Sequence, residues 1–268
     1  MPIIGIDYDK CINCNECMME CPNYLYEQDS SNEIKFNDPK NSCIKCGHCI
    51  SVCPVDAILY ENMGETIIFN GIEKPEKIIP FDQLYKILQS IRSVRRYKNK
   101  KVPEDLIKKI TDAMQFAPTG ANIQSEKITV ISDPVRIKQF SDAIIEAMNN
   151  DARYSPLFSE TYKKNEKRYN NAIALFDAPH VIVVHTKMPL KINYFNMANM
   201  ITNGRLAAQS LGLGTCYIGQ AQMASEIVSS IKKIAGASSK HLCAFTLGYP
   251  DVKYVKIPPR VLNRSKVI

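Results

Sequence analysis

The chain has 268 residues and a mass of 30.3 kDa, enough for one large domain or two of unequal size. With 45% hydrophobic and 23% charged residues it has globular composition, and no apolar run approaches the roughly 18 residues a membrane span needs. The net charge is +7, but the basic residues form no run of five or six, and no zinc-finger, helix-turn-helix or aromatic-rich RNA-binding pattern is present, so nucleic acid is not an expected partner.

The opening "MPIIGIDYDK" has no basic segment leading into an apolar one, so a cytoplasmic protein is expected. Eight of the ten cysteines then follow in two copies of C-x2-C-x2-C-x3-C-P: "CINCNECMMECP" at 11–22 and "CIKCGHCISVCP" at 43–54. Disulfides, zinc or iron–sulfur clusters are the alternatives for such a segment. A cytoplasmic setting disfavours disulfides. Zinc sites pair two C-x2-C units across a gap, whereas here a third and a fourth Cys follow each pair and a Pro ends the run. The spacing resembles that of the bacterial dicluster ferredoxins. That resemblance implies one [4Fe–4S] cluster on Cys11, Cys14, Cys17 and Cys53, and a second on Cys43, Cys46, Cys49 and Cys21. Pro22 and Pro54 would steer the chain off each cluster, and Gly47 would allow close backbone approach. "CPVDAILY" after the second run also resembles the family, while "CPNYLY" after the first departs from it in packing and not in ligation. His48 reads as a surface residue, and the distant Cys216 and Cys243 as core thiols.

Residues 61–82, "ENMGETIIFNGIEKPEKIIPFD", read as turns and a linker, with "ETIIF" a candidate strand. The domain boundary is placed at residue 80, dividing the chain into 1–80 and 81–268. The charge changes sign there: 6 Lys+Arg against 13 Asp+Glu give −7 before it, and 28 against 14 give +14 after it, together the stated +7. Beyond the boundary "FDQLYKILQSIRSVRRY" reads as a helix capped by Asp82, and "VPEDLIKKITDAMQFA" as a helix with Pro103 in its first position. "KITVISD" and "HVIVVHTK" read as buried strands, "NYFNMANMITNGRLAAQSLG" as a long helix, "SEIVSSIKKIAGA" as another, and "HLCAFTLGYP" as a last strand. Helices outnumber strands, which predicts an α+β layer with a small sheet. Neither G-x-G-x-x-G after a strand nor a P-loop is present.

Three separated stretches resemble the FMN-dependent nitroreductase family. In "IRSVRRY", residues 91–97, Arg92, Ser93 and Arg95 would converge on the flavin phosphate, with Ile91 where the family often has a further basic residue. "APTGANIQS", residues 117–125, is similar to the family's A-P-S-x-x-N-x-Q-P loop, with Ser125 in place of the proline. There Pro118, Thr119, Gly120, Asn122 and Gln124 would face the flavin's polar edge, and in the family this loop reaches the flavin of the other subunit. "LGLGTCYIGQ", residues 211–220, would lay Thr215, Tyr217, Ile218 and Gly219 along the isoalloxazine, with the Gly219 amide toward N5. "LGYPDVKYVKIPPR" resembles the closing segment, which returns Arg260 to the phosphate.

The two resemblances together imply an α+β protein of a known type. A small dicluster ferredoxin-like domain is followed by a nitroreductase-like FMN domain, as in the ferredoxin-type nitroreductases of anaerobes. They imply a homodimer packed on the long helix, where Ala198, Gly204, Ala207 and Ala208 permit close approach, although the same small residues equally suit an intramolecular core. The implied function is an oxidoreductase in which two [4Fe–4S] clusters pass electrons to FMN, which reduces a nitroaromatic, quinone or enone acceptor. The flavin supplies the chemistry, so no catalytic side chain is assigned. Three alternatives stay open. The flavin takes hydride from NAD(P)H and the clusters carry electrons out; the protein is a redox sensor; or it is a reductive dehalogenase or flavin-fragmenting enzyme of the same fold. The electron donor, ferredoxin or NAD(P)H, and the acceptor are not identified by the sequence.

Overall fold

Each cysteine of the first run lies 32 positions before its counterpart in the second (Cys11 and Cys43, Cys21 and Cys53), and the backbone repeats with the same offset. In the computed structural model, which describes residues 2–67, 74–237, 239–260 and 266, left-handed residues recur at matched places. They are Asn13 and Lys45 (φ 53° and 57°), Asn15 and Gly47 (67° and 74°), and Tyr24 and Asp56 (54° and 51°). Asn15 and Gly47 start the two short helices, so the loop curls before each helix begins. The elements of this part are β1 (Ile3–Ile6), α1 (Glu16–Met19), β2 (Tyr26–Gln28), β3 (Ile34–Phe36), α2 (His48–Val52) and β4 (Ile58–Tyr60). β1 pairs antiparallel with β4, and β2 with β3. Ile3, Ile6, Tyr26, Ile34, Ala57 and Ile58 form a small core, and the cysteines pack against it.

This part, Met1–Glu73 with Ala121–Ile123, is one of two units into which the chain divides; the other is Lys74–Gly120 with Gln124–Ile268. The second unit holds α3 (Pro75–Ile78), α4 (Phe81–Ser90), α5 (Glu104–Gln115), β5 (Lys127–Ile131), α6 (Pro134–Asn150) and α7 (Ser155–Asn165). It continues with β6 (His180–Thr186), α8 (Ile192–Ser210), β7 (Gly214–Tyr217), α9 (Gly219–Ile227), α10 (Ser230–Ile234) and β8 (His241–Gly248). The strands form one antiparallel sheet in the order β5-β6-β8-β7, with Val130 opposite Ile182, Val183 opposite Ala244 and Thr215 opposite Leu247. β6 is buried along its whole length: Val181 and Val183 face the core built on α6, α7, α9 and α10, while Ile182 and Val184 face that of α5 and α8. Burial on both faces explains the uninterrupted apolar run that reads as a strand. α5 and α8 approach so closely at Gly204 that a Cβ there would stand 2.7 Å from Met114 Cγ.

Several expectations change. The helix read over 81–97 stops at Ser90, and Asp82 lies in its first turn while Pro80 occupies the cap position. Ile91 is extended because the next residues join the sheet edge: Ser93 bridges Thr215 in parallel, and the Val94 amide donates to Thr215 O at 2.9 Å. Pro103 precedes α5 as its cap and is not its first helical residue. "SEIVSSIKKIAGA" holds the end of α9 and all of α10, divided at the extended Val228 (φ −124°, ψ 111°). Glu65–Ile67 of "ETIIF" form no strand, and its last two residues lie outside the described residues. α6 and α7 fill a span to which the sequence reading assigned no element. Among the described residues no helix is long and apolar enough to cross a membrane.

Candidate functional site: two cysteine cages and a basic, aromatic cleft

The first unit sorts its eight clustered cysteines into two sets. Cys11, Cys14, Cys17 and Cys53 ring one small cavity with Ile6, Ile34 and Ile58. Cys21, Cys43, Cys46 and Cys49 ring another with Ile3, Leu25 and Tyr26. The last cysteine of each run therefore joins the other run's first three. Backbone amides already address the sulfurs: Leu25 N–H donates to Cys21 Sγ at 3.4 Å, and Ala57 N–H to Cys53 Sγ at 3.2 Å, again 32 positions apart. Asp38 anchors the second loop, accepting from the Ser42 amide (2.7 Å) and the Cys43 amide (3.0 Å).

Among the described residues no three His, Cys, Asp or Glu side chains converge on a point where one ion could sit. Four sulfurs spread around an apolar hollow suit a multinuclear cluster instead, in which each iron takes one thiolate. Burial, reinforced by Cys11 and Cys14, pushes the Cys17 thiol up to about 11, and burial also raises Cys43 and Cys49. Thiolates gathered in such a hollow repel one another until a cationic centre compensates them. His48 is exposed, and Cys216 and Cys243 are buried core thiols, as read from the sequence.

In the second unit the bridge at the sheet edge places "IRSVRRY" across β7. Arg92 and Arg260, 168 positions apart, line one cavity of about 290 Å³ with Tyr85 and Gln89. Ser93 is fixed by its backbone bridge to Thr215. Arg95 borders a cleft of about 420 Å³ with Tyr169, Phe176, Tyr217, Ile218 and Gly219. Its guanidinium stands 5.7 Å over the Phe176 ring, and its carbonyl accepts from the Tyr169 hydroxyl at 2.9 Å. Gly219 is the first residue of the nine-residue α9, so its amide has no acceptor within the helix. A cation, aromatic walls and a free-facing amide at a helix N-terminus suit a flat, polar-edged, anionic ligand.

The loop 117–125 stands apart from this cleft. Asn199 Nδ2 donates to Pro118 O (3.3 Å), the Gly120 amide donates to Asn196 Oδ1 (3.0 Å), and the Gln124 amide donates to Thr119 Oγ1 (3.1 Å). Asn122, which clusters with the first unit, donates to Ile44 O (3.0 Å) and Lys45 O (2.8 Å). Of the second unit's residues in this loop, Pro118, Thr119, Gly120 and Gln124 do not border the cleft of Arg95 and Gly219. Thr215 does not border it either: its side chain is buried and accepts from Arg205 Nε at 3.2 Å. Sequence reading missed Tyr169 and Phe176, which had no signal of their own.

With this geometry the known proteins can be set beside the chain. Residues 88–249 match the sequence profile of the Nitroreductase family, more than half of the chain. The chain belongs to the nitroreductase family. Residues 3–67 match the 4Fe-4S dicluster domain. An FMN-bound nitroreductase of Bacteroides fragilis shares the fold at a TM-score of 0.58 and 19% identity, over 69% of this chain and 98% of that one. An FMN-bound nitroreductase of Desulfitobacterium hafniense gives 0.56 and 20%, over 69% and 96%. An "NADPH-dependent oxidoreductase" of Staphylococcus haemolyticus is 25% identical over 138 residues, 52% of this chain and 53% of that relative. The chain thus spans about half the length of that relative, and 21% of a Staphylococcus aureus protein of the same name.

Proposed function

We propose that this nitroreductase-family protein is an FMN-dependent oxidoreductase fed with electrons by two [4Fe–4S] clusters and acting on a flat organic acceptor, a nitroaromatic, quinone or enone. The observation that carries the reading is the sorting of eight cysteines into two four-sulfur cages in a chain whose larger unit is of the nitroreductase family. When bound, each cluster supplies one-electron exchange, and FMN supplies one- or two-electron exchange at its ring. Cys11, Cys14, Cys17 and Cys53 hold the first cluster, and Cys21, Cys43, Cys46 and Cys49 the second. Arg92, Ser93 and Arg260 bind the flavin phosphate; Arg95 neutralises charge at the ring's edge, and Tyr217, Ile218 and the Gly219 amide orient the ring. The 117–125 loop lies outside the cleft of its own protomer, which supports the reading that it serves the flavin of a second subunit in a homodimer.

A second reading has the FMN reduced by NADPH, with electrons leaving through the clusters. The relatives named NADPH-dependent oxidoreductases favour it. Anaerobic turnover with reduced ferredoxin, NADH or NADPH against nitroaromatic and quinone acceptors separates the two. Turnover with ferredoxin alone supports the first reading, turnover with NADPH alone the second. Flavin binding without turnover by any donor would sink both.

A further inference from the structure

At one buried position the 32-residue repeat sets a hydroxyl-bearing side chain against an aliphatic one. After the matched amide donors Leu25 and Ala57 come Tyr26 and Ile58, 5% and 7% exposed. Each borders the cage completed by the cysteine five residues before it: Tyr26 that of Cys21, Ile58 that of Cys53. At this position the second cage has a phenol where the first has an aliphatic side chain. The Tyr26 ring is held against Phe36 at a centroid distance of 5.2 Å, and its hydroxyl is buried with no hydrogen-bond partner among the described residues. A buried hydroxyl without an acceptor costs free energy unless something in the functional molecule receives it. Tyr26 shares its cavity with the four cysteines of that cage, and of these Cys49 is the buried one, packed with Tyr26 in the same core.

We propose that the Tyr26 hydroxyl donates a hydrogen bond to the Cys49 thiolate of the second cluster, and that this bond holds the second cluster at a higher potential than it would otherwise have. The inference rests on reading the cages as [4Fe–4S] sites. Reduction adds one electron to the cluster and makes its sulfurs more negative, so a fixed O–H donor stabilises the reduced form more than the oxidised. Backbone amides address both cages alike, at Cys21 and at Cys53, so they do not distinguish them. The phenol is the asymmetric donor. Electrons entering the unit then settle preferentially on one cluster, which gives the pair an order. Tyr26 is a tuning residue and not a ligand.

The test uses the full-length holoprotein, prepared without oxygen, and its Tyr26→Phe variant. Potentiometric titration followed by electron paramagnetic resonance reads both cluster potentials. Iron and sulfide should stay at the wild-type level, because Tyr26 is not a ligand and Phe keeps its ring. One potential should fall by a several-fold to roughly tenfold change in the reduced-to-oxidised ratio, where tenfold corresponds to 59 mV for one electron. The other potential should not move. Tyr26→Ile, which copies the other repeat, should give the same one-sided fall. A shift of the iron–sulfur stretching bands between H2O and D2O should also be smaller in Tyr26→Phe than in wild type. Retained clusters with neither potential moved, or with both moved equally, would overturn the proposal. Wild type lacking two sets of iron and sulfide would instead refute the cluster reading beneath it.

Discussion

Gly214 shows how closely the flavin-side residues depend on backbone packing. A Cβ added there would fall 2.7 Å from Val94 Cγ2, and Val94 is the residue whose amide bonds to Thr215 O. Gly214→Ala should therefore cost about 1–3 kcal/mol, measured by thermal or chemical denaturation. It should also reduce FMN retention, because Ser93 and Arg95 flank the displaced residue. Arg260 tests the phosphate assignment without touching the sheet. Deleting one guanidinium from a phosphate site removes a charge-assisted bond of about 1.5–3 kcal/mol, roughly tenfold to hundredfold in affinity. Arg260→Ala should weaken FMN by that factor and leave riboflavin, which has no phosphate, nearly unaffected. Fluorescence titration of both flavins into apoprotein checks it, and equal losses would remove Arg260 from the phosphate site.

Strand β6 carries two buried histidines. His180 Nε2 accepts from the Val102 amide at 2.9 Å, its Nδ1 lies 2.7 Å from Ser132 Oγ, and His185 Nε2 lies 3.1 Å from Thr129 Oγ1. Burial lowers both rings below the ordinary value of 6.5, with Lys101 and Lys127 acting in the same direction. A depressed folded pKa means that the unfolded chain binds more protons below about pH 6.5, so stability rises with pH there. Urea midpoints should be level above pH 7 and fall as the pH is lowered from about 6.5 toward 5. His180→Gln should flatten that fall, and an unchanged slope would mean that His180 does not control it. The elements best read from sequence were β6 and β8, whose burial leaves long apolar runs, and α8, whose length and small residues mark it as a helix. The segment after Ser90 was misread because its helical periodicity continues into residues that the sheet edge pulls straight. α6 carried signals that the sequence reading passed over: Asp133, whose carboxylate accepts from the Val135 and Arg136 amides at 3.3 Å each, and a face of Ile137, Phe140, Ile144, Ala147 and Met148 at helical spacing. The two cysteine runs were legible because their spacing is local, whereas the exchange of Cys21 and Cys53 between them was implied only by the resemblance. The Arg95 cleft was legible only in part, because Tyr169 and Phe176 reach it through the fold and carry no spacing of their own.

For the whole molecule, the account joins one-electron cysteine cages to a two-electron flavin site in a single chain. It predicts about eight irons and about eight acid-labile sulfides per chain in protein purified without oxygen, checked by metal and sulfide analysis. Zinc in their place would contradict it. The central claim is that the clusters are the entry route for electrons to the flavin. The most direct measurement is the anaerobic rate at which bound FMN is reduced by reduced ferredoxin, in wild type and in Cys14→Ala, which lacks one ligand of the first cage. The account predicts that the variant loses one cluster, keeps its FMN and is reduced markedly more slowly. An unchanged rate in protein shown to have lost that cluster would contradict it.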